Sequence, residues 1–141
     1  MSEEFNNWNK FADALITAQG QVIRKTAFDC QGHIQNEINN QGLVVTGFMK
    51  NAVYVVTSQE STYGQGTGSP PEGAYLLPEV PGPDDSHTAY VAAGANYTFW
   101  QNNGTHAIPA HGFFEKGVER GGAGMDAAMK LINQKWEEIG H

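Results

Sequence analysis

The sequence predicts an α+β domain: N-terminal helices, a small antiparallel sheet carrying a long inserted loop, then C-terminal helices. Three observations carry this. Apolar residues recur at helical spacing from residue 4 to 41 and again from 125 to 139. Between these stretches, β-branched and aromatic runs change the period. A segment at 58–87 is broken repeatedly by glycine and proline. A chain of 141 residues fits one domain, 1–141. At this size a domain buries roughly 68–70% of its unfolded surface, so no covalent staple is required.

Residues 4–18 place Phe5, Trp8, Ala12 and Leu15 on one helical stripe, which Phe11 and Ile16 widen. Gly20 predicts a kink or break. A second helix over 21–41 repeats the pattern with Ile23, Ala27, Cys30, Ile34 and Ile38, and Gly42 marks its stop. Leu43-Val44-Val45 and the run 52–57 read as strands. Both faces of the second run are apolar, which predicts cover by core on one side and by a neighbouring subunit on the other. The loop 58–87 reads as an extended arm or hairpin, with Ala74-Tyr75-Leu76-Leu77 its one apolar patch. Residues 88–93 form the next strand. A short aromatic helix is expected over 96–103, Pro109 lies in an extended link, and a helix starts near His111. Gly117, Gly121, Gly122 and Gly124 are expected to loosen or interrupt it. The last helix carries the stripe Met125, Ala128, Met129, Ile132, Trp136 and Ile139, with Asp126 near its positive end.

Apolar residues make up 40% of the chain and charged residues only 16%, for a net charge of −7. That balance argues against a dedicated nucleic-acid binder, which shows a basic stripe. The lone Cys30 forms no internal disulfide. The first residues, Met1-Ser2-Glu3-Glu4-Phe5, are acidic and polar, unlike a secretory leader. No apolar run reaches the ~18 residues of a membrane span.

Chemistry-bearing patterns are weak. A catalytic zinc site needs three protein ligands, often an i, i+4 pair on a helix. His106 and His111 are separated by Pro109 and do not pair in that way, and His87 lies at the end of the loop. These three are the ligands of the enzyme alternative, a small metal-dependent hydrolase, against which polar loop histidines are the simpler reading. Cys30 and His33 share a helical face without a second pair. No nucleophile elbow occurs. Gly64-x-Gly66-x-Gly68 lacks the lysine and strand–helix setting of a phosphate loop. Asp84-Asp85 beside His87 reads as a solvated turn. Tyr97, Phe99 and Trp100 resemble a base-stacking platform only superficially, since the chain is acidic. Packing of a short helix on the sheet or on a neighbour is the better expectation. No cofactor is indicated.

Two stretches resemble the small tail-component family of tailed bacteriophages, the head–tail joining or tail-completion proteins. The first is Thr46-Gly47-Phe48-Met49-Lys50, which leads into Asn51-Ala52-Val53-Tyr54-Val55 after an N-terminal helical region. The second begins at Tyr90-Val91-Ala92-Ala93-Gly94-Ala95-Asn96-Tyr97 and continues through Gly104-Thr105 to Pro109-Ala110-His111-Gly112-Phe113. Order and spacing cover roughly residues 10–135. The chain departs from the family at Asn102-Asn103, where an acidic and a large apolar residue are usual. It departs again at His111-Gly112, where the family has Arg-Pro.

The resemblance implies a structural virion protein with no catalytic site. It would be a tail terminator or tail-completion subunit forming a hexameric ring at the head–tail junction. Partners would be other copies of itself, the tail tube protein and the head connector or stopper, with genomic DNA passing without specific binding and no membrane. It would reside in the virion neck, and in host cytoplasm during assembly. Its motif positions are Thr46, Gly47, Lys50, Tyr97, Gly104, Thr105, Pro109, Ala110 and Phe113. Ring closure repeats one heterologous contact, and Val53, Val55, Tyr75, Leu76 and Leu77 are the candidate subunit interface. A stopper or minor tail protein of the same particle is the nearest alternative. A monomeric α+β ligand-binding domain is another.

Overall fold

A computed structural model describes residues 2–43, 47–105, 109–123, 125 and 128–130, without the side chains of 2–9 and 11. The predicted strand residues Val44 and Val45, and Asp126, Ile132, Trp136 and Ile139 of the last predicted helix, lie outside the described residues. So do the side chains of Phe5, Trp8 and Phe11. The fold is α+β, as predicted: α1 (Ser2–Asn40), α2 (Phe48–Asn51), β1 (Val53–Val56), β2 (Tyr90–Ala93), α3 (Thr98–Asn103) and α4 (Phe113–Gly122).

The two predicted N-terminal helices are one helix of 39 residues, about 58 Å long at 1.5 Å per residue. Gly20 does not break it. A single helical glycine costs only about 1 kcal/mol relative to alanine, and here it has a packing use. A Cβ on Gly20 would lie 3.2 Å from the Ser86 carbonyl oxygen, so the missing side chain admits the chain segment that crosses the helix there. The predicted stripe is buried where the domain covers it: Ala27, Cys30, Ile34 and Ile38 are 0–6% exposed. At Gly42 the backbone turns to φ +69°, and Leu43 N–H donates to Ile38 C=O, closing the helix as predicted.

β1 and β2 pair antiparallel, Val53 opposite Ala93 and Val56 opposite Tyr90. All four β1 residues are buried. One side faces a core made of Ile34, Ile38, Phe48, Met49, Ala52, Val53, Ala95 and Phe113. The other side is covered by the chain's own 58–87 segment and not by a neighbour. Tyr63 stacks edge-on against Tyr54 at 5.1 Å, the Tyr54 hydroxyl accepts from Val80 N–H, and Gly82 lies against Val56. The predicted arm is therefore a strap. Arg24 of α1 forms a bidentate ion pair with Glu60 at the start of the strap. Ser61 donates to Glu79 and the Tyr63 hydroxyl donates to Leu77 C=O at 2.6 Å. At the far end, a His87 ring nitrogen meets the Ile16 carbonyl at 3.1 Å.

Two of the four C-terminal glycines depart from expectation, while α4 ends at Gly122 and Gly124 lies outside the described residues. Gly117 and Gly121 are buried, and ideal Cβ atoms there would lie 2.3 Å from Ile34 Cγ1 and 2.5 Å from Cys30 Cα. The pair does not loosen the helix. It allows α4 to sit directly on the α1 backbone, where longer side chains would hold the two axes apart. Arg120 then reaches across to Glu37, whose side chain is only 7% exposed.

Candidate interaction surface

The two motif stretches, about fifty residues apart, meet in space. Gly47 precedes α2 with φ +81°, a conformation that favours glycine, and so turns the chain into Phe48. Phe48 is buried and its ring lies 6.4 Å from that of Tyr97. Tyr97 is half-buried and also hydrogen-bonds the Met49 backbone. Burial raises its phenol pKa, and the Met49 contact opposes that shift. Lys50 is half-buried in α2, and its carbonyl accepts from the Gln35 side chain of α1. Phe113 joins the same core at 0% exposure. Gly104 ends α3 at φ +83°, the positive-φ stop expected there. Thr105, Pro109 and Ala110 lie in exposed connecting chain. Thr46 lies outside the described residues.

Asn102, where the resemblance expects an acidic residue, is buried and joins α3 to α4. Its Oδ1 accepts from Phe114 N–H at 2.9 Å, and its Nδ2 donates to Glu115 at 2.8 Å. Its carbonyl accepts from Gly112 N–H at 3.0 Å. The amide satisfies an orphan donor of the first turn of α4, which an N-cap side chain does elsewhere. Gly112 takes φ +61°, where the proline of the family pattern, locked near −65°, has no place. Sequence inspection singled out Asn102 only as a departure, and nothing in the local pattern revealed the cap.

The candidate interface residues divide. Val53 and Val55 are 1% and 0% exposed inside the subunit, so their side chains present no surface, which corrects that part of the expectation. The outer edge of β1 is occupied as well: Thr62 brackets Val55 N–H and C=O, and Gln31 donates to Val53 C=O. Tyr75 and Leu77 are exposed, at 59% and 38%. Leu76 is half-buried and bridges to Ala95. The aromatics of α3 join this surface. Phe99 and Trp100 do not pack on the sheet. They stand edge-to-face at 6.4 Å, with 67% and 50% exposure. Leu77, Phe99 and Phe114 wall a groove of about 280 Å³ whose lining has no charged side chain.

Among the described residues, no group of three His, Cys, Asp or Glu side chains could hold a metal ion. His87 contacts Ile16, and His111 exchanges hydrogen bonds with Gln41. Ile16 lies in α1 and Gln41 just past its end, about 37 Å away at 1.5 Å per residue. His106 lies outside the described residues. The Asp85 side chain accepts from His87 N–H and Thr88 Oγ1, so the Asp84-Asp85 segment is the turn expected from sequence. Cys30 is buried under α4, and burial, with Asp29 adding to it, raises its thiol pKa. A reactive cysteine needs the opposite environment.

The chain matches no protein-family model, no curated protein and no solved structure. Among the described residues, no helix is long and apolar enough to cross a membrane.

Proposed function

We propose that this chain is a structural subunit of a phage tail neck, a ring-forming tail terminator or tail-completion protein without catalytic chemistry. The observation that carries the proposal is the convergence of the two motif stretches. Phe48 and Phe113 share one core, against which Tyr97 packs, its ring meeting Phe48 and its hydroxyl the Met49 backbone. Phe48, Met49, Tyr97 and Phe113 of the two stretches thus belong to one packed joint between α1, the sheet and α4. They are used for shape, which suits a part whose work is assembly.

Two further features support the same reading. The strap and the uncharged groove leave apolar side chains on one exposed surface, as a repeated ring contact requires. The net charge of −7 lowers the phosphate-driven affinity that would retain passing DNA. The partners are then copies of this chain, the tail tube protein and the head connector or stopper, in the virion. Native mass determination of the protein, alone and with tail tube protein, tests this. Rings in either condition are expected. A protein that stays monomeric with its tube partner at high concentration refutes the assignment, and tight, salt-sensitive DNA retention refutes the account of its charge.

A further inference from the structure

We propose that the free edge of β2 pairs antiparallel with β2 of a second copy of this chain, about a two-fold axis at Val91. In the sheet, Thr62 and Gln31 take the backbone groups of Val55 and Val53 that point away from β2. By strand alternation, Tyr54 and Val56 bond their register partners Ala92 and Tyr90, and Val91 and Ala93 turn their N–H and C=O groups outward. Among the described residues those outward groups meet no partner. The chain begins a third strand along this edge and abandons it. Leu77 N–H donates to Gly94 C=O, and Asn96 N–H donates to Tyr75 C=O. Pro78 then has no N–H with which to continue the ladder. Val80 N–H donates instead to the Tyr54 hydroxyl, on the face of the sheet. Residues 88–93 carry neither a charge nor a proline, the usual guards of an open edge.

Register and shape select a second copy as the occupant. An unpaired edge takes an extended strand, and this edge is bounded, because Leu77 holds the place opposite Gly94. A pair centred on Ala92 would need Tyr90 of the second copy in that place. A pair centred on Val91 clears it: Val91 meets Val91, Ala89 meets Ala93, and Tyr90 stands directly opposite Ala92. Paired residues share a face, so Tyr90 and Ala92 lie on the strap face with Val56 and Tyr54. On that face an open groove of about 460 Å³ is lined by residues 90–92 and by Val80, Pro81 and Gly82 of the strap. Tyr90 is 43% exposed. A projecting ring and a groove beside Ala92 thus sit two residues apart on one strand, and pairing about Val91 brings each ring to the groove of the other copy. A two-fold contact closes with two copies, so this pair is distinct from the repeated ring contact and does not rest on the neck assignment.

The test uses the full chain. In a Cys30→Ala background, Tyr90→Cys and Ala92→Cys proteins are mixed under mild oxidation, and mixed disulfide dimers are expected to exceed either homodimer at least tenfold. Sedimentation is then measured at a concentration where half of the wild type is dimeric. Tyr90→Lys and Tyr90→Glu alone each lower the dimer at least tenfold, because the two residues 90 lie on one diagonal of the pair. An equal mixture of the two restores it. Both variants keep the melting temperature of the wild-type monomer, so loss of pairing is not loss of fold. Three outcomes overturn the inference: Ala92→Cys homodimers in excess, no recovery on mixing the two charge variants, or a wild type that stays monomeric at its highest soluble concentration. Pairs that never form rings with tail tube protein keep this contact and refute the neck assignment. Rings without the mixed disulfide refute the pair alone.

Discussion

Replacing Gly117 with alanine adds one methyl group, and its sign separates two accounts of α4. On an exposed helix surface the change stabilises by about 1 kcal/mol, because glycine has more conformational freedom to lose. At Gly117 the new Cβ would lie 2.3 Å from Ile34 Cγ1, 2.5 Å from Ile34 N and 2.6 Å from Ile34 Cα. Two of these atoms are α1 backbone, so no rotamer change relieves the contact. Ordinary contact begins near 3.4 Å, so α4 must move outward by about 1 Å. That shift loosens the packing of Phe113, and overpacking of this kind costs about 1–3 kcal/mol. Gly122, one residue beyond Gly121, is the internal control, since a Cβ there meets nothing within 4 Å. The expected result in urea or thermal unfolding is a loss of about 1–3 kcal/mol for Gly117→Ala. That is a fall of roughly 3–10 °C in Tm at this chain size. Gly121→Ala follows suit, and Gly122→Ala is neutral or mildly stabilising. If Gly117→Ala and Gly121→Ala stabilise as Gly122→Ala does, α4 does not rest on the α1 backbone and the packing described above is wrong.

Asn102→Ala removes the acceptor for Phe114 N–H and the donor to Glu115, and unfolding in urea should show a loss of about 1–2 kcal/mol. Arg120→Met strands the Glu37 carboxylate on the α1–α4 face and costs about 1–3 kcal/mol, since Arg120 itself is largely exposed. The double variant with Glu37→Met should recover much of that, and a double-mutant cycle with no coupling rejects the pair. Burial raises the folded-state thiol pKa of Cys30, so the unfolded chain ionises first as pH rises. This contribution to stability is full below the ordinary thiol pKa and is lost as pH climbs from there through the raised value. Stability measured across the alkaline range should therefore fall more steeply for wild type than for Cys30→Ala, and a thiol reagent should label Cys30 far faster in urea than in buffer. Addition of a chelator should leave the melting temperature unchanged, and a drop on chelation would reopen the metal-dependent alternative.

Periodicity carried the secondary structure well where a single face decides the outcome. The Ala27–Ile38 stripe, the glycine stop at Gly42 and the two strands follow from residue type and spacing. What periodicity did not carry were features decided by contacts distant in sequence. The cover over Tyr54 and Val56 comes from Tyr63, Val80 and Gly82 of the strap, and a glycine- and proline-rich composition reads equally well as a free arm. Val53 belongs to the core while Tyr54 and Val56 meet the strap, and strand sequence alone does not say whether a second apolar face is covered by the same chain or by another. In the candidate groove Leu77 was visible as part of an apolar patch. Thr98 was invisible, because a threonine beginning a short helix is ordinary until its hydroxyl is found buried without a partner.

The glycines show where the missing information resided. Gly20, Gly117 and Gly121 all lie inside helices, and taken singly each weakens a helix by a similar amount. Their spacing against the opposing element separates weakness from use. Gly117 and Gly121 are i, i+4 on α4 and meet Ile34 and Cys30, themselves i, i+4 on α1. Each missing side chain thus faces a filled position on the partner, as interlocking rows demand. Ile34 and Cys30 belong to the stripe that was legible in the sequence, so the α1 half of the interface was in view. The α4 half was written in absent atoms, which a hydrophobicity count scores as nothing. The same holds at Gly20, where the missing Cβ admits Ser86 and seats the end of the strap. In this chain Gly20, Gly117 and Gly121 mark where α1 is touched, and the close approach of α4 to α1 is made through the last two.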